Sequence, residues 1–188
     1  MRSTAEALAL VRAFSPSPEE EKSHELILAL LELTEAPFSR TQFRPGHITC
    51  TAAVLHLDGM HPGGPRVLLM HHHRHQRWLL PGGHVEEDDV KLGDTARREA
   101  VEETAVVIPD SGQAILVGMD VHGIPSRKRE PFHLHHDLIF AFHTNSGELA
   151  VTAEAPRVAW CGMDEFARFH LPSSITRAVE RAAGKKDR

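Results

Sequence analysis

Hydrophobic and polar positions repeat with two different periods along this chain. Residues 3–14, and a second stretch that ends near Leu33, show the three-to-four-residue spacing of amphipathic helices. From Ile48 onward, short apolar runs bounded by glycine and proline predict strands instead. A glutamate-rich helical segment follows Gly83, and helical spacing returns at residues 163–169 and 173–183. The predicted strands are ITCTAAVLHL, RVLLMHH, RWLL, AILVGMDVHG, FHLHHDLIFAFHT and VAWCG.

The order of these elements indicates an α+β fold in which a mixed sheet carries helices on its faces. Pro45-Gly46 marks a boundary between an N-terminal helical extension, residues 1–45, and the main domain, residues 46–184. Ser17-Pro18-Glu19-Glu20 predicts the start of the second helix, with Ser17 as its cap. Residues 185–188 read as a disordered tail. The apolar stripe of the second helix is consistent with a homodimer and equally with packing inside one subunit.

Composition narrows the class of protein. At 188 residues, 41% hydrophobic and 25% charged, the chain suits one domain with a real core. A formal net charge of -5 argues against a broad basic surface for nucleic-acid polymers. Two cysteines, Cys50 and Cys161, do not define a disulfide framework, so we expect a reducing cytoplasm. The apolar run near the start is too short for a membrane span or a signal peptide.

Three carboxylates gather within the glutamate-rich segment. On a helix, Glu102 and Glu103 lie to either side of Glu99, so all three share one narrow face. Left unpaired, they would repel each other. Mg²⁺ takes oxygen ligands and is usually held by a few carboxylates together with substrate phosphates. A solvated helix face explains the same glutamates, but the cluster indicates metal-assisted phosphate chemistry.

The residues around this cluster give it a context. Leu80-Pro81-Gly82-Gly83 predicts a glycine-bearing turn before the helix, and an uninterrupted Arg-Glu-Ala-Val-Glu-Glu forms the core of the helix. This segment resembles the Nudix box, whose pattern is G-x5-E-x7-R-E-U-x-E-E-x-G-U, with U a bulky aliphatic residue. The matching residues are Gly83, Arg98, Glu99, Glu102, Glu103 and Val106.

The match departs from the pattern at three places. Asp89 stands where the first Glu is expected, and its shorter reach favours a role in capping the helix over metal binding. One extra residue separates Asp89 from Arg98, where a turn can absorb it. Ala105 replaces the final Gly, and because alanine enters the left-handed conformation at a cost of about 1 kcal/mol, we expect a different helix ending.

The resemblance implies an α/β/α sandwich and Mg²⁺-dependent hydrolysis of a diphosphate bond in a nucleoside diphosphate linked to another group, with Mn²⁺ as a substitute. It implies metal binding by the three glutamates and by a backbone carbonyl of Gly82 or Gly83. Arg98 lies one turn before Glu102, so it is expected to orient a carboxylate.

The family often uses a further acidic residue, outside the box, as catalytic base or as an extra metal ligand. Glu130 is the candidate, because residues 126–131 read as a loop between strands. Asp120 and Glu154 are the alternatives, and a surface ion-pair loop explains residues 126–131 equally well.

Candidate substrate contacts come from basic and aromatic residues. Arg127, with Lys128 and Arg129, either meets phosphates or is merely solvated. Trp78 fits core packing or a base-stacking wall. Of the fifteen histidines, seven form two groups: His71, His72, His73 and His75 in one, and His133, His135 and His136 in the other. His133, His135 and Asp137 share a strand face that could hold a transition metal. We expect these imidazoles, with His84, to line an anion pocket instead.

Two other functions use the same architecture. An isopentenyl-diphosphate isomerase of the Nudix fold relies on a catalytic cysteine, and Cys50 lies on an early strand. A Nudix domain that senses nucleotides without hydrolysis is the other alternative. The segments at residues 45–55 and 120–131 also resemble bacterial members of the family. Nucleotide sugars, dinucleotides and (deoxy)nucleoside triphosphates all remain open as substrates, since selectivity resides in loops.

Overall fold

The computed structural model describes residues 3–57, 64–73, 75–109, 113–127 and 130–184. Lys128, Arg129 and the expected tail at 185–188 lie outside the described residues. The elements in chain order are α1 (Thr4–Ala13), α2 (Glu21–Leu33), β1 (Gly46–His56), β2 (Arg66–His72), β3 (Arg77–Leu79), β4 (Gly82–His84), α3 (Leu92–Thr104), β5 (Ile115–Ile124), β6 (His133–Thr144), β7 (Val158–Gly162), a 3-10 turn (Met163–Glu165), α4 (Phe166–Phe169) and α5 (Ser173–Ala182).

One seven-stranded mixed sheet organises these elements. Its main path runs β3-β2-β1-β6-β5, with β4 added to β1 and β7 added to β2. The two long central strands, β1 and β6, are parallel, and the other pairings are antiparallel. The α+β fold with a mixed sheet is therefore confirmed.

The core lies on both faces of this sheet. The first cluster combines α1, α2 and α3 with even-numbered residues of β1, such as Cys50 and Ala52. The second combines α4 and α5 with odd-numbered residues, such as Ala53 and Leu55. Because side chains alternate along a strand, this division follows from the sequence once β1 is placed centrally. The stripe of α2 packs into the first cluster through Ile27, Leu30 and Leu31.

Two local predictions were wrong. Helix α2 begins at Glu21, and the Ser17 side chain does not cap it; the Glu20 carboxylate instead accepts the Ser17 N–H at 3.0 Å. Gly82 and Gly83 form a short strand rather than a turn, antiparallel to β1. Glycine permits this approach, since a Cβ on Gly82 would lie 2.6 Å from Thr51 Oγ1.

A buried ion pair ties the N-terminal extension to the last helix. Arg181 donates to both carboxylate oxygens of Glu20, at 3.2 and 2.8 Å. Glu20 is 1% exposed. Burial alone would raise the pKa of Glu20, but the bonds from Arg181 and Ser17 outweigh burial and leave it below its usual value of 4.5. The two ends of the chain are therefore joined by charge as well as by apolar packing.

Replacing Glu20 by glutamine should lower the free energy of unfolding by about 2–3 kcal/mol at pH 7, because Arg181 loses its charged partner. The folded-state pKa of Glu20 lies below the unfolded value, so the pair stabilises fully above pH 4.5 and less as the pH falls through the folded pKa. Urea unfolding of the wild type and of Glu20→Gln, at pH 7 and at pH 3, measures this difference in the free energy of unfolding. An equal loss at both pH values would contradict the prediction.

Among the described residues, no helix is long and apolar enough to cross a membrane. Cys50 and Cys161 are both buried, and neither is in a disulfide.

Candidate active site

Helix α3 packs its carboxylates against strand β4. The Glu99 carboxylate lies directly over the Cα of Gly83, because a Cβ added there would come within 2.4 Å of Glu99 Oε1. Burial raises the pKa of Glu99, and Arg98 opposes that increase. Glu102, on the same helix face, has a side chain that is 57% exposed. Of the three glutamates predicted to share a face, Glu99 and Glu103 therefore meet the glycine pair, whereas Glu102 is bonded to Arg98.

Glu103 is the most buried of the three, at 5% exposure. Its Oε2 accepts the backbone N–H of Gly82 at 3.0 Å. Burial raises the pKa of Glu103 to about 8, the Gly82 bond opposes the increase, and nearby carboxylates add to it. A buried carboxylate surrounded by like charge is suited to a cation, which would restore its ionised form.

Arg98 organises the other acidic groups. Its Nη1 donates to Glu99 Oε1 and to Glu102 Oε2, both at 3.1 Å, which agrees with the expected pairing one helical turn apart. Nε and Nη2 bind the two oxygens of Asp89 at 3.0 and 3.1 Å, and Nη2 also donates to the His84 carbonyl at 2.9 Å. The guanidinium thereby fixes helix α3 to both the preceding loop and β4.

Asp89 does not cap the helix, contrary to expectation. It accepts from the Glu86 N–H and the Thr95 hydroxyl, both at 2.8 Å, as well as from Arg98. Burial would raise the pKa of Asp89, but these bonds outweigh it and hold the pKa low. The expected helix ending was also wrong, since Ala105 adopts the left-handed conformation (φ 54°) and donates its N–H to the Val101 carbonyl at 2.8 Å.

The acidic candidates outside the helix lie in different surroundings. Arg127 and Glu130 pair through their backbones at 2.8 and 2.7 Å and close the predicted loop between β5 and β6. The Glu130 charge acts on His47, whereas the Glu154 charge acts on Glu103. Asp120 binds His122 Nδ1 at 3.0 Å.

Trp78 lies on the outer strand β3 and belongs to the second core cluster. Its ring meets Phe169 edge-on, with centroids 5.2 Å apart, and the Arg157 guanidinium lies 5.3 Å from its centre. His71 contacts it from the paired strand β2. These contacts support the core-packing interpretation of Trp78. Because the ring is only half-buried, stacking of a substrate base on Trp78 stays a prediction.

The structure collects four histidines next to β4. We call His47, His84, His133 and His135 the histidine cluster. Its rings have centroids 4.9–5.2 Å apart in five pairs. Burial lowers the pKa of His135 to about 2, and the neighbouring histidines add to this effect.

Sequence reasoning singled out three of these four histidines and missed His47. The signal lay in strand pairing, because His47 on β1 is directly opposite His135 on the parallel strand β6. That pairing joins residues 88 positions apart. A pattern read along one strand at a time does not reveal it.

Substituting Gly83 by alanine should lower kcat by about 100-fold, because the new methyl group displaces the Glu99 carboxylate. The displaced group is the far end of a flexible side chain, so stability should change by less than about 1 kcal/mol. Gly147→Ala is the control, since its Cβ would meet only His56 Nε2, at 3.7 Å. Steady-state kinetics with thermal unfolding distinguishes the two effects. Unchanged turnover in Gly83→Ala would contradict this placement of Glu99.

Comparison with known proteins shows which family and which solved structures this chain is similar to. The NUDIX domain family matches residues 49–181. A search by sequence among curated proteins gives no match. The Escherichia coli dihydroneopterin triphosphate pyrophosphohydrolase is similar in structure, with TM-score 0.59 and 19% identity over 77% of this chain and 98% of that one.

Two further solved structures share the fold. The NUDIX domain of Shewanella oneidensis NrtR, complexed with ADP ribose, has TM-score 0.54 and 22% identity over 73% of this chain and 86% of that one. The MutT protein from Methanosarcina mazei has TM-score 0.53 and 19% identity over 73% and 93%. At these identities the likeness establishes the fold.

Proposed function

Because the chain belongs to the Nudix family, we propose that it is a Mg²⁺-dependent hydrolase that cleaves the diphosphate bond of a nucleoside diphosphate linked to another group. The observation that carries this proposal is the cradle formed by Gly82 and Gly83, which receives the carboxylates of Glu99 and Glu103. The substrate would be a small molecule rather than a nucleic-acid polymer, because a net charge of -5 leaves no broad basic surface for a polyanion.

The residues present fit Mg²⁺. The donors are carboxylate oxygens, which this hard cation prefers, and two of the three carboxylates have a raised pKa that a cation would offset. Glu99, Glu102 and Glu103 would hold the ion, with a carbonyl of Gly82 or Gly83; Mn²⁺, which also favours oxygen, would substitute. When bound, Mg²⁺ neutralises charge on the diphosphate and acidifies the attacking water.

The protein's own residues position these groups. Arg98 holds Glu99 and Glu102 by one nitrogen and is itself anchored by Asp89, so the carboxylates keep their spacing without substrate. The Gly82 N–H fixes one oxygen of Glu103. Such preorganisation reduces the rearrangement required when charge develops during the reaction.

We propose substrate contacts from the histidine cluster and from Arg127 and Trp78. His84, His133 and His135 present imidazoles suited to phosphate or ribose oxygens. Arg127 lies in the exposed loop before β6 and would meet a phosphate, and Trp78 would stack a base. The ADP ribose bound by the similar Shewanella domain makes nucleotide sugars the first class to test.

The deciding experiment supplies purified protein with ADP-ribose, a dinucleoside polyphosphate and a nucleoside triphosphate, each with Mg²⁺. For ADP-ribose and the dinucleoside polyphosphate, phosphatase added afterwards converts the products to free phosphate. For the triphosphate, which phosphatase would attack directly, inorganic pyrophosphatase is added instead to convert released pyrophosphate to phosphate. We expect release from at least one substrate, its loss after chelation and its restoration by Mg²⁺ alone. If the folded protein releases phosphate from none of these substrates, the proposal is overturned.

We propose Glu130 as the base that accepts the proton of the attacking water. Glu130→Gln should lower kcat by about 100-fold or more, with KM changed by less than about threefold. Glu154→Gln is the matched comparison, because the charge of Glu154 acts on Glu103. The kcat–pH profile of each variant provides the measurement. A loss of turnover in Glu154→Gln alone would identify Glu154 as the base.

The alternatives have less support in the structure. Isomerase chemistry would require an accessible cysteine, but Cys50 is fully buried in the core beneath α3. A sensor that does not hydrolyse would have no need of the two carboxylates, Glu99 and Glu103, that are held at the glycine pair. Nucleotide binding without turnover would support the sensor function instead.

A further inference from the structure

The histidine cluster contains a group with metal-binding geometry. His47, His84 and His135 each offer one ring nitrogen, and these three nitrogens all lie within 4.8 Å of one another. No other group of three such ligand atoms is this close among the described residues. Tetrahedral zinc with bonds of about 2.1 Å needs nitrogens about 3.4 Å apart. Small rotations of the imidazole rings close that difference.

Three strands deliver these side chains to one face of the sheet. His47 on β1 is opposite His135 on β6, and His84 on β4 is opposite Thr49, two residues along β1 from His47. Ring centroids of the three are 4.9–5.2 Å apart. Ligands carried by paired strands are held more rigidly than ligands on loops.

His47 provides independent evidence for a ligand. It is 1% exposed, and its Nδ1 donates to the Gln42 carbonyl at 3.1 Å. That bond places the lone pair on Nε2, which is buried and has no hydrogen-bond partner. Metal-binding histidines show this arrangement, in which one nitrogen donates to a backbone carbonyl and fixes the other toward the ion.

We propose that His47, His84 and His135 bind a transition-metal ion of the zinc class, at a site separate from the carboxylates of α3. Imidazole nitrogens suit zinc and its neighbours, whereas Mg²⁺ requires oxygen. The site differs from the strand face of His133, His135 and Asp137, since His47 and His84 come from other strands. Three protein ligands leave the fourth position of a tetrahedral ion for water or an anion. With the ion bound, His84 and His135 would no longer contact the substrate directly, and a phosphate would take that fourth position instead.

The test uses untagged protein, stripped with a chelator and dialysed against Zn²⁺ in buffer that contains millimolar Mg²⁺. We expect one zinc per chain by elemental analysis. His135→Ala and His84→Ala should each weaken zinc binding by more than about 100-fold, beyond the loss that an outer-shell change causes. His133→Ala, in the same cluster, and the exposed His73→Ala should retain the ion. Circular dichroism confirms that each variant is folded.

X-ray absorption at the zinc edge supplies a measurement that does not depend on any substitution. Three imidazole nitrogens at about 2.0–2.1 Å would support the site. No bound zinc, zinc displaced by Mg²⁺, or equal zinc in wild type, His84→Ala and His135→Ala would overturn it and leave the imidazoles as lining of an anion pocket. Because the readout is metal content, its outcome is independent of whether diphosphates are hydrolysed.

Discussion

Glu103→Gln should lower kcat by about 10²–10⁴-fold on whichever substrate the wild-type protein hydrolyses. The carboxylate is buried and bonded to the Gly82 N–H. Glutamine has nearly the same shape and can still accept that bond, but it removes the negative charge that would hold the cation. The loss should therefore appear in turnover with little change in fold. Glu87→Gln, which alters an exposed carboxylate before the same helix, serves as the control.

A stability measurement separates loss of charge from misfolding. The folded-state pKa of Glu103 is raised to about 8, so without metal its contribution to stability is present below pH 4.5 and is lost as the pH rises through 8. Glu103→Gln should lack that loss and should unfold at the higher temperature at pH 8. Mg²⁺ should stabilise the wild type more than the variant. A variant that keeps more than a tenth of the wild-type turnover would contradict the metal-binding role.

Arg98→Met should lower the free energy of unfolding by about 3–5 kcal/mol. Asp89 is 6% exposed, and Arg98 binds both its oxygens, so the substitution leaves a buried carboxylate without its cation. Adding Asp89→Asn to Arg98→Met should recover part of this loss, because the unpaired buried charge of the Asp89 carboxylate is then removed. Urea unfolding of the two single variants and the double variant measures the coupling.

An exposed ion pair provides the contrast. Arg12 and Glu32 lie 2.6 Å apart, but their side chains are 60% and 45% exposed. Arg12→Met should therefore cost less than about 1 kcal/mol. Equal losses in Arg12→Met and Arg98→Met would show that the Asp89 pair contributes no more than a surface contact. Turnover should fall only in Arg98→Met, since Glu99 and Glu102 lose their shared donor.

The sequence by itself determined the features that depend on local spacing. Helical periodicity placed Glu99, Glu102 and Glu103 on one face of α3, and strand alternation placed His133, His135 and Asp137 on one face of β6. These features follow from the geometry of a single helix or strand, which neighbours along the chain fix.

Tertiary structure decided the features that join distant segments. The pairing of β1 with β6 brought His47 to His135, and the packing of α5 took Glu20 into an ion pair with Arg181, 161 residues away. Arg98 drew Asp89 away from the helix end, and β4 became a strand because β1 lay beside it. Propensities and spacing describe one segment at a time, whereas the partners of buried charges and unpaired ring nitrogens are settled only when the segments pack together.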